Sequence, residues 1–237
     1  MKLVHASIAE TGGAGWDGKA KAGDQTGKEV CVRSWYSKPW DIALRHPNAE
    51  IRAKAAAAAV KLANSNLVGY DQSERNTLYK ALKSCGWDVD AYIKSGKKTE
   101  TDCSAFVYAV YCCFVPAMRS DNNAPVTSNM RVKYKSWGFA VLTGANVKLA
   151  SGDGLINGDI VVKESAHTAL VTDGNPTAPP VPPTEQPRID LPKYTPEVDA
   201  AITTIALDVI EGKWGNGNER MNALYVAIQS RVNELLK

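Results

Sequence analysis

Eight of the chain's 12 prolines fall between residues 176 and 196, among them the pairs Pro179-Pro180 and Pro182-Pro183. Proline fixes φ and donates no amide hydrogen bond, so this stretch can neither complete a sheet nor continue a helix and instead extends as a linker. It divides the 237 residues into a domain over 1–174, a linker over 175–196 and a tail over 197–237. The first part is long enough to bury a full core. A tail of about 40 residues lies at the lower limit for folding alone.

Within the first domain the periodicity changes from helical to strand-like along the chain. The Ala-rich segment from Pro47 to Asn66 repeats at helical spacing through Ile51, Ala55, Ala58 and Leu62, with Asn48 near its start. A second helix is expected from Ser73 to Ser84, capped by Asp71 or Ser73. A third should start at Cys103, capped by Thr101 or Asp102, with Phe106, Val107, Val110 and Tyr111 on its buried face. A short helix capped by Thr127 and a strand at Phe139–Leu142 follow. The runs Asp159–Val162 and His167–Thr172, parted by the polar turn Lys163-Glu164-Ser165-Ala166, predict an antiparallel hairpin. Helices first and strands later indicate an α+β domain, helices packed on an antiparallel sheet. The tail reads as helices near Val198–Glu211 and Asn218–Leu236 around Gly212–Gly217, a small all-α module.

Charge and cysteine usage narrow the function. A formal net charge of +3 gives little support to nucleic acid and suits an anionic cell wall equally well. The apolar runs fall short of the roughly 20 residues that span a bilayer, and Met1–Glu10, with its early acid, does not read as a signal peptide. The five cysteines, at 31, 85, 103, 112 and 113, form no Cys-x-x-Cys pair and no secreted scaffold, which indicates a reducing compartment. With the three histidines scattered at 5, 46 and 167, neither a metal nor any other cofactor is expected.

The residues best suited to chemistry are Cys103 and His167. A thiol in the first turn of a helix faces unpaired amides and the positive end of the dipole, so its pKa is expected to fall below about 8.5. A cysteine nucleophile needs a base, and His167 opens a strand in the half of the chain that should face the Cys103 helix. Each also has a plainer explanation, as a buried small hydrophobe and as a half-buried strand-edge histidine.

These residues carry a resemblance. Asp102-Cys103-Ser104-Ala105-Phe106-Val107, then Gly158-Asp159-Ile160-Val161-Val162, then His167-Thr168-Ala169-Leu170-Val171 are similar to the Asp-Cys-Ser, Gly-Asp and His segments of the papain-like NlpC and CHAP peptidoglycan hydrolases found in phage endolysins. The stretch Gly23–Val30 with Arg33, Trp35 and Tyr36 resembles the leader of a group of phage-encoded wall hydrolases. The resemblance implies cysteine-dependent cleavage of an amide, either within the peptide stem or between N-acetylmuramic acid and L-alanine. It also implies accumulation in the host cytoplasm before lysis and action on the wall afterwards.

Such enzymes usually orient the histidine with a third polar residue on the following strand, but here Gly174 and the linker come first. Asp173 lies six residues along, about 20 Å from His167 in an extended strand. The amino-terminal segment is the other source, and Asp24 and Gln25, with Glu29, are expected to line the cleft. In the tail, Val209–Gly217 with Arg220 is similar to the helical wall-binding repeat of certain phage lysozymes. That implies a muropeptide contact through Trp214 and Arg220, although Trp214 could equally plug a small core.

The expected partner is therefore bacterial peptidoglycan, with no nucleic acid and no membrane insertion, and the tail could also pair two copies of the chain. The alternative is a non-catalytic wall-binding protein whose papain-like domain is degenerate.

Overall fold

The computed structural model describes residues 1–9, 18, 21, 25, 28–120, 123–174, 204 and 208. The chain divides into two compact units, Met1–Thr184 and Glu185–Lys237. In the second unit Thr204 and Asp208 are helical. The linker, the remainder of the expected helical tail with Trp214 and Arg220, and Asp24 all lie outside the described residues.

The first unit is α+β. Its sheet is built from β1 (Lys2–Ala6), β2 (Val30–Ser34), β3 (Ile42–Arg45), β6 (Ala140–Leu142), β7 (Ile160–Lys163) and β8 (His167–Asp173), ordered β2-β1-β8-β7-β3-β6 with every neighbour antiparallel. Period-two alternation sends Val4, Ala6, Ile160, Val162 and Leu170 toward the helices, and Leu3, Ala43, Val161, Ala169 and Val171 to the opposite face. Apolar residues on both faces match a sheet covered on both sides.

On the helical side, α1 (Ala49–Asn64) starts where the Asn48 side chain accepts from the amides of Glu50 and Ile51. Its buried Ala55, Ala56, Ala58 and Ala59 have no bulk to hold it away from its neighbours. All ten residues of α4 (Cys103–Cys112) are buried, and this helix packs against β8, β1 and α1, and against α2 (Thr77–Ser84). A helix apolar all round belongs in the interior. The segment between α1 and α4 also contains α3 (Val89–Ser95), which ends at Gly96 in the left-handed region, φ 65. A parallel pair, β4 (Val68–Tyr70) with β5 (Thr99–Thr101), leads directly into α4.

Several expectations need correction. The second helix begins at Thr77, not Ser73, with Asn76 in the cap position. The Asp71 carboxylate instead holds a turn, accepting from the Ser73 amide at 2.8 Å and its hydroxyl at 2.6 Å. The helix expected after Thr127 is α5 (Met130–Ser136), with Asn129 at its cap position. Strands β2, β3, β4 and β5 and helix α3 were not expected. They are short, and strands of three to five residues give periodicity too little length to show.

Candidate active site

Cys103 is positioned by a strand, a cap and a helix in succession. β5 ends at Thr101, and the Asp102 side chain accepts from the Ala105 amide at 2.7 Å, which starts α4 at Cys103. Asp102 is itself fixed by Arg75, whose Nε donates to it at 2.5 Å while Nη2 donates to the Ser104 hydroxyl at 2.9 Å. Arg75 also donates to the carbonyls of Ala124 and Pro125, at 2.7 and 3.0 Å. One guanidinium therefore ties the cap, the first turn of α4 and the loop before α5 together.

The expected fall in the thiol pKa does not occur. Cys103 is 8% exposed, and burial first, then the Asp102 charge, push it up to about 12. The backbone groups of Thr168 and Ser104 and the charge of Arg75 act to lower it, but by less than those two raise it. At this helix start desolvation outweighs the dipole.

His167 opens β8 immediately before Thr168, so thiol and imidazole flank the same residue. Alternation turns the ring to the face of Ala169 and Val171, where it stacks on Trp40 with centroids 6.1 Å apart. Its Nε2 lies 3.0 Å from the Tyr36 hydroxyl. That hydroxyl is also 2.9 Å from His5 Nδ1, and the two imidazoles meet edge to face at 5.7 Å. Burial, then the charges of Lys38 and Arg33, bring His167 down to about 3, which leaves it neutral. Among the described residues no hydrogen bond joins Cys103 Sγ to either nitrogen of His167. Tyr36 borders both: it is bonded to the imidazole and senses the charge of Cys103, and its own pKa is raised, chiefly by burial.

The strand pairing explains how these side chains meet. β1 lies between β2 and β8, paired as Val4↔Val32 and Val4↔Leu170, and its registered pairing with β8 ends there. His5 follows on the next position of β1, and Tyr36 lies two residues beyond β2. Trp40 Nε1 donates to the Tyr36 carbonyl at 3.2 Å, and the Arg33 guanidinium sits 5.0 Å over the Tyr36 ring.

The other expected residues lie elsewhere. Gln25 Nε2 donates to the Glu100 carboxylate and has no described bond to His167. The Glu29 carboxylate accepts from the Tyr70 amide at 2.9 Å. Asp173 pairs with Lys2 at the far end of β8.

The Gly158-Asp159 segment is architectural. Asp159 is fully buried and accepts from Arg45 Nε at 2.8 Å, from Arg45 Nη2 at 2.6 Å and from the Ile156 amide at 2.9 Å. Gly158 has φ +84, and a Cβ there would come within 2.6 Å of the Arg52 backbone. Among the described residues no group of three or more His, Cys, Asp or Glu side chains could hold a metal, and no helix is long and apolar enough to cross a membrane. All five cysteines are free.

The profile of the endolysin-like domain matches residues 3–178, and that of the CW_7 repeat matches 203–236. No curated protein and no solved structure matches the chain.

Proposed function

From the premise that the chain belongs to the endolysin-like domain family and carries a CW_7 cell-wall repeat, we propose that it cuts an amide of peptidoglycan by a cysteine–histidine mechanism of papain-like type. An endolysin-like domain followed by a wall repeat supports action on peptidoglycan. The observation that supports the mechanism is the position of Cys103 in the first turn of α4, with its sulfur near enough to the backbone of Thr168, the residue next to His167, for that backbone to act on the thiol.

In the resting site the thiol and the imidazole are both neutral. Burial is the first cause of both shifts, so a polar substrate entering the cleft works against both. As Sγ bonds to the carbonyl carbon, His167 accepts the thiol proton. It then passes that proton to the departing amine as the carbon–nitrogen bond breaks. Water, deprotonated by the same imidazole, hydrolyses the thioester and regenerates the thiol.

The amide is a bond of the peptide stem or the link from N-acetylmuramic acid to L-alanine. The repeat at 203–236 would hold the enzyme at the wall and raise its local concentration there, with Trp214 and Arg220 as its expected muropeptide contacts.

The test is digestion of purified peptidoglycans by the full chain and by Cys103→Ser, reading new amino groups and the masses of the fragments. Release of amines by the parent and not by the variant is the expected result. Equal release by both sinks the mechanism. Binding to walls without release by either favours a non-catalytic wall-binding protein, a reading to which the absence of a bond between Cys103 and His167 lends weight.

A further inference from the structure

We propose that Tyr36 is the positioning residue for His167, accepting a hydrogen bond from Nε2–H while donating its own hydroxyl proton to His5 Nδ1. The proposal rests on the Cys103–His167 reading, and it fills the role for which, among the described residues, no strand of the sheet follows β8.

A phenol has one proton to give. Its oxygen lies 3.0 Å from His167 Nε2 and 2.9 Å from His5 Nδ1, so it can donate to only one ring and must accept from the other. With Nε2 occupied by Tyr36, only Nδ1 of His167 is left to take a proton from the thiol. A neutral imidazole has a bare Nδ1 only when Nε2 carries the hydrogen. That choice fixes the rest: His167 donates to Tyr36, and Tyr36 donates to His5.

The surroundings hold the ring in this orientation. Trp40 stacks on His167 with the planes 23° apart, and its indole N–H holds the Tyr36 carbonyl. Arg33 over the Tyr36 ring and Lys38 disfavour a charged imidazolium, which keeps the relay neutral and the tautomer defined. Tyr36 reaches His167 from the other side of β1, so the orienting group comes from a segment about 130 residues earlier in the chain.

The experiment reads imidazole nitrogen shifts in the full chain labelled at histidine, with His167 assigned by loss of its signals in His167→Gln. The parent should show the proton on Nε2. Tyr36→Phe, which keeps the ring, should give a mixed tautomer population and lower kcat by about tenfold or more on a soluble peptidoglycan fragment, with KM within about twofold.

His5→Phe is the sharper variant. It removes the acceptor of the phenolic proton, so Tyr36 can donate to His167 Nε2, moving the imidazole proton to Nδ1 and again lowering kcat. A merely structural role predicts no such tautomer switch.

A parent with the proton on Nδ1, an unchanged tautomer in both variants, or an unchanged kcat in Tyr36→Phe overturns the proposal. If Cys103→Ser still hydrolyses wall, it is the Cys–His reading that fails. The nitrogen shifts then still decide whether Tyr36 orients His167. Thermal melts show whether either variant is folded, and each supplies the tautomer readout if the other is not.

Discussion

Replacing Arg45 with Met isolates the contact that anchors the β7–β8 hairpin, and with it His167. Asp159 is fully buried and takes three hydrogen bonds, two from Arg45 and one from the Ile156 amide. Arg45 also donates to the Gly154 carbonyl at 2.8 Å. Met fills much of the volume of the arginine stem but leaves a buried carboxylate with a single donor. Breaking a buried pair from one side costs about 3–5 kcal/mol, because the remaining charge loses its partner without regaining water. In a domain of this size each kcal/mol lowers Tm by about 2–4 °C, so the variant should melt about 6–20 °C below the parent.

The sign of the pH dependence follows from the same contact. Burial holds the Asp159 carboxyl above its ordinary pKa, and Arg45 opposes that rise. Without Arg45 the pKa climbs further, so the folded variant binds a proton more readily and its deficit shrinks as pH falls. Asp159→Asn in the Arg45→Met background removes the charge and should recover about half of the loss or more. Scanning calorimetry of the three proteins at about pH 7.5 and about pH 5 measures all of this. A drop of less than about 3 °C, or a drop equal at both pH values, would refute the claim that an uncompensated buried charge is what the variant exposes.

Two further outcomes follow from the site. Brief treatment of the native chain with iodoacetamide near neutral pH should alkylate the half-buried Cys85 before Cys103, whose thiol is pushed up to about 12; peptide mapping that finds Cys103 modified first would mean that the helix start prevails over burial. His167 is held at about 3 in the folded chain against an ordinary 6.5, so its contribution to stability is present above about pH 6.5 and is lost as pH falls toward 3, at up to about 1.4 kcal/mol per pH unit. His46, lowered by burial, acts in the same direction. Urea midpoints that stay flat across that range would contradict a buried neutral imidazole.

Part of this architecture is legible without coordinates. Asn48 before an alanine-rich helix, Asp102 before Cys103, and the runs on either side of Lys163–Ala166 all became the elements expected of them. In each case the determining contacts lie within a few residues: a side chain accepting from amides two or three positions on, or two strands meeting across a four-residue turn. The placement of Asp102, Cys103 and His167 on a cap, a helix start and a strand start follows from the same local order.

What surrounds those residues is another matter. Gln25 and Tyr36 both belong to the amino-terminal segment that was expected to line the cleft, yet Gln25 bonds to Glu100 while Tyr36 bonds to His167. Trp35, Tyr36 and Trp40 pack against one another in the structure. Only the insertion of β1 between β2 and β8 brings the Tyr36 hydroxyl to the histidine. The thiol's electrostatics reversed for the same kind of reason. A cap and a dipole are read from neighbours in sequence, whereas desolvation depends on everything packed around the sulfur. The sequence by itself determined where the helix start and the hairpin lie, because their hydrogen bonds close over short stretches of chain. The tertiary structure decided the polar partner of His167 and the protonation state of Cys103, because both depend on segments far apart in sequence brought together when the sheet forms.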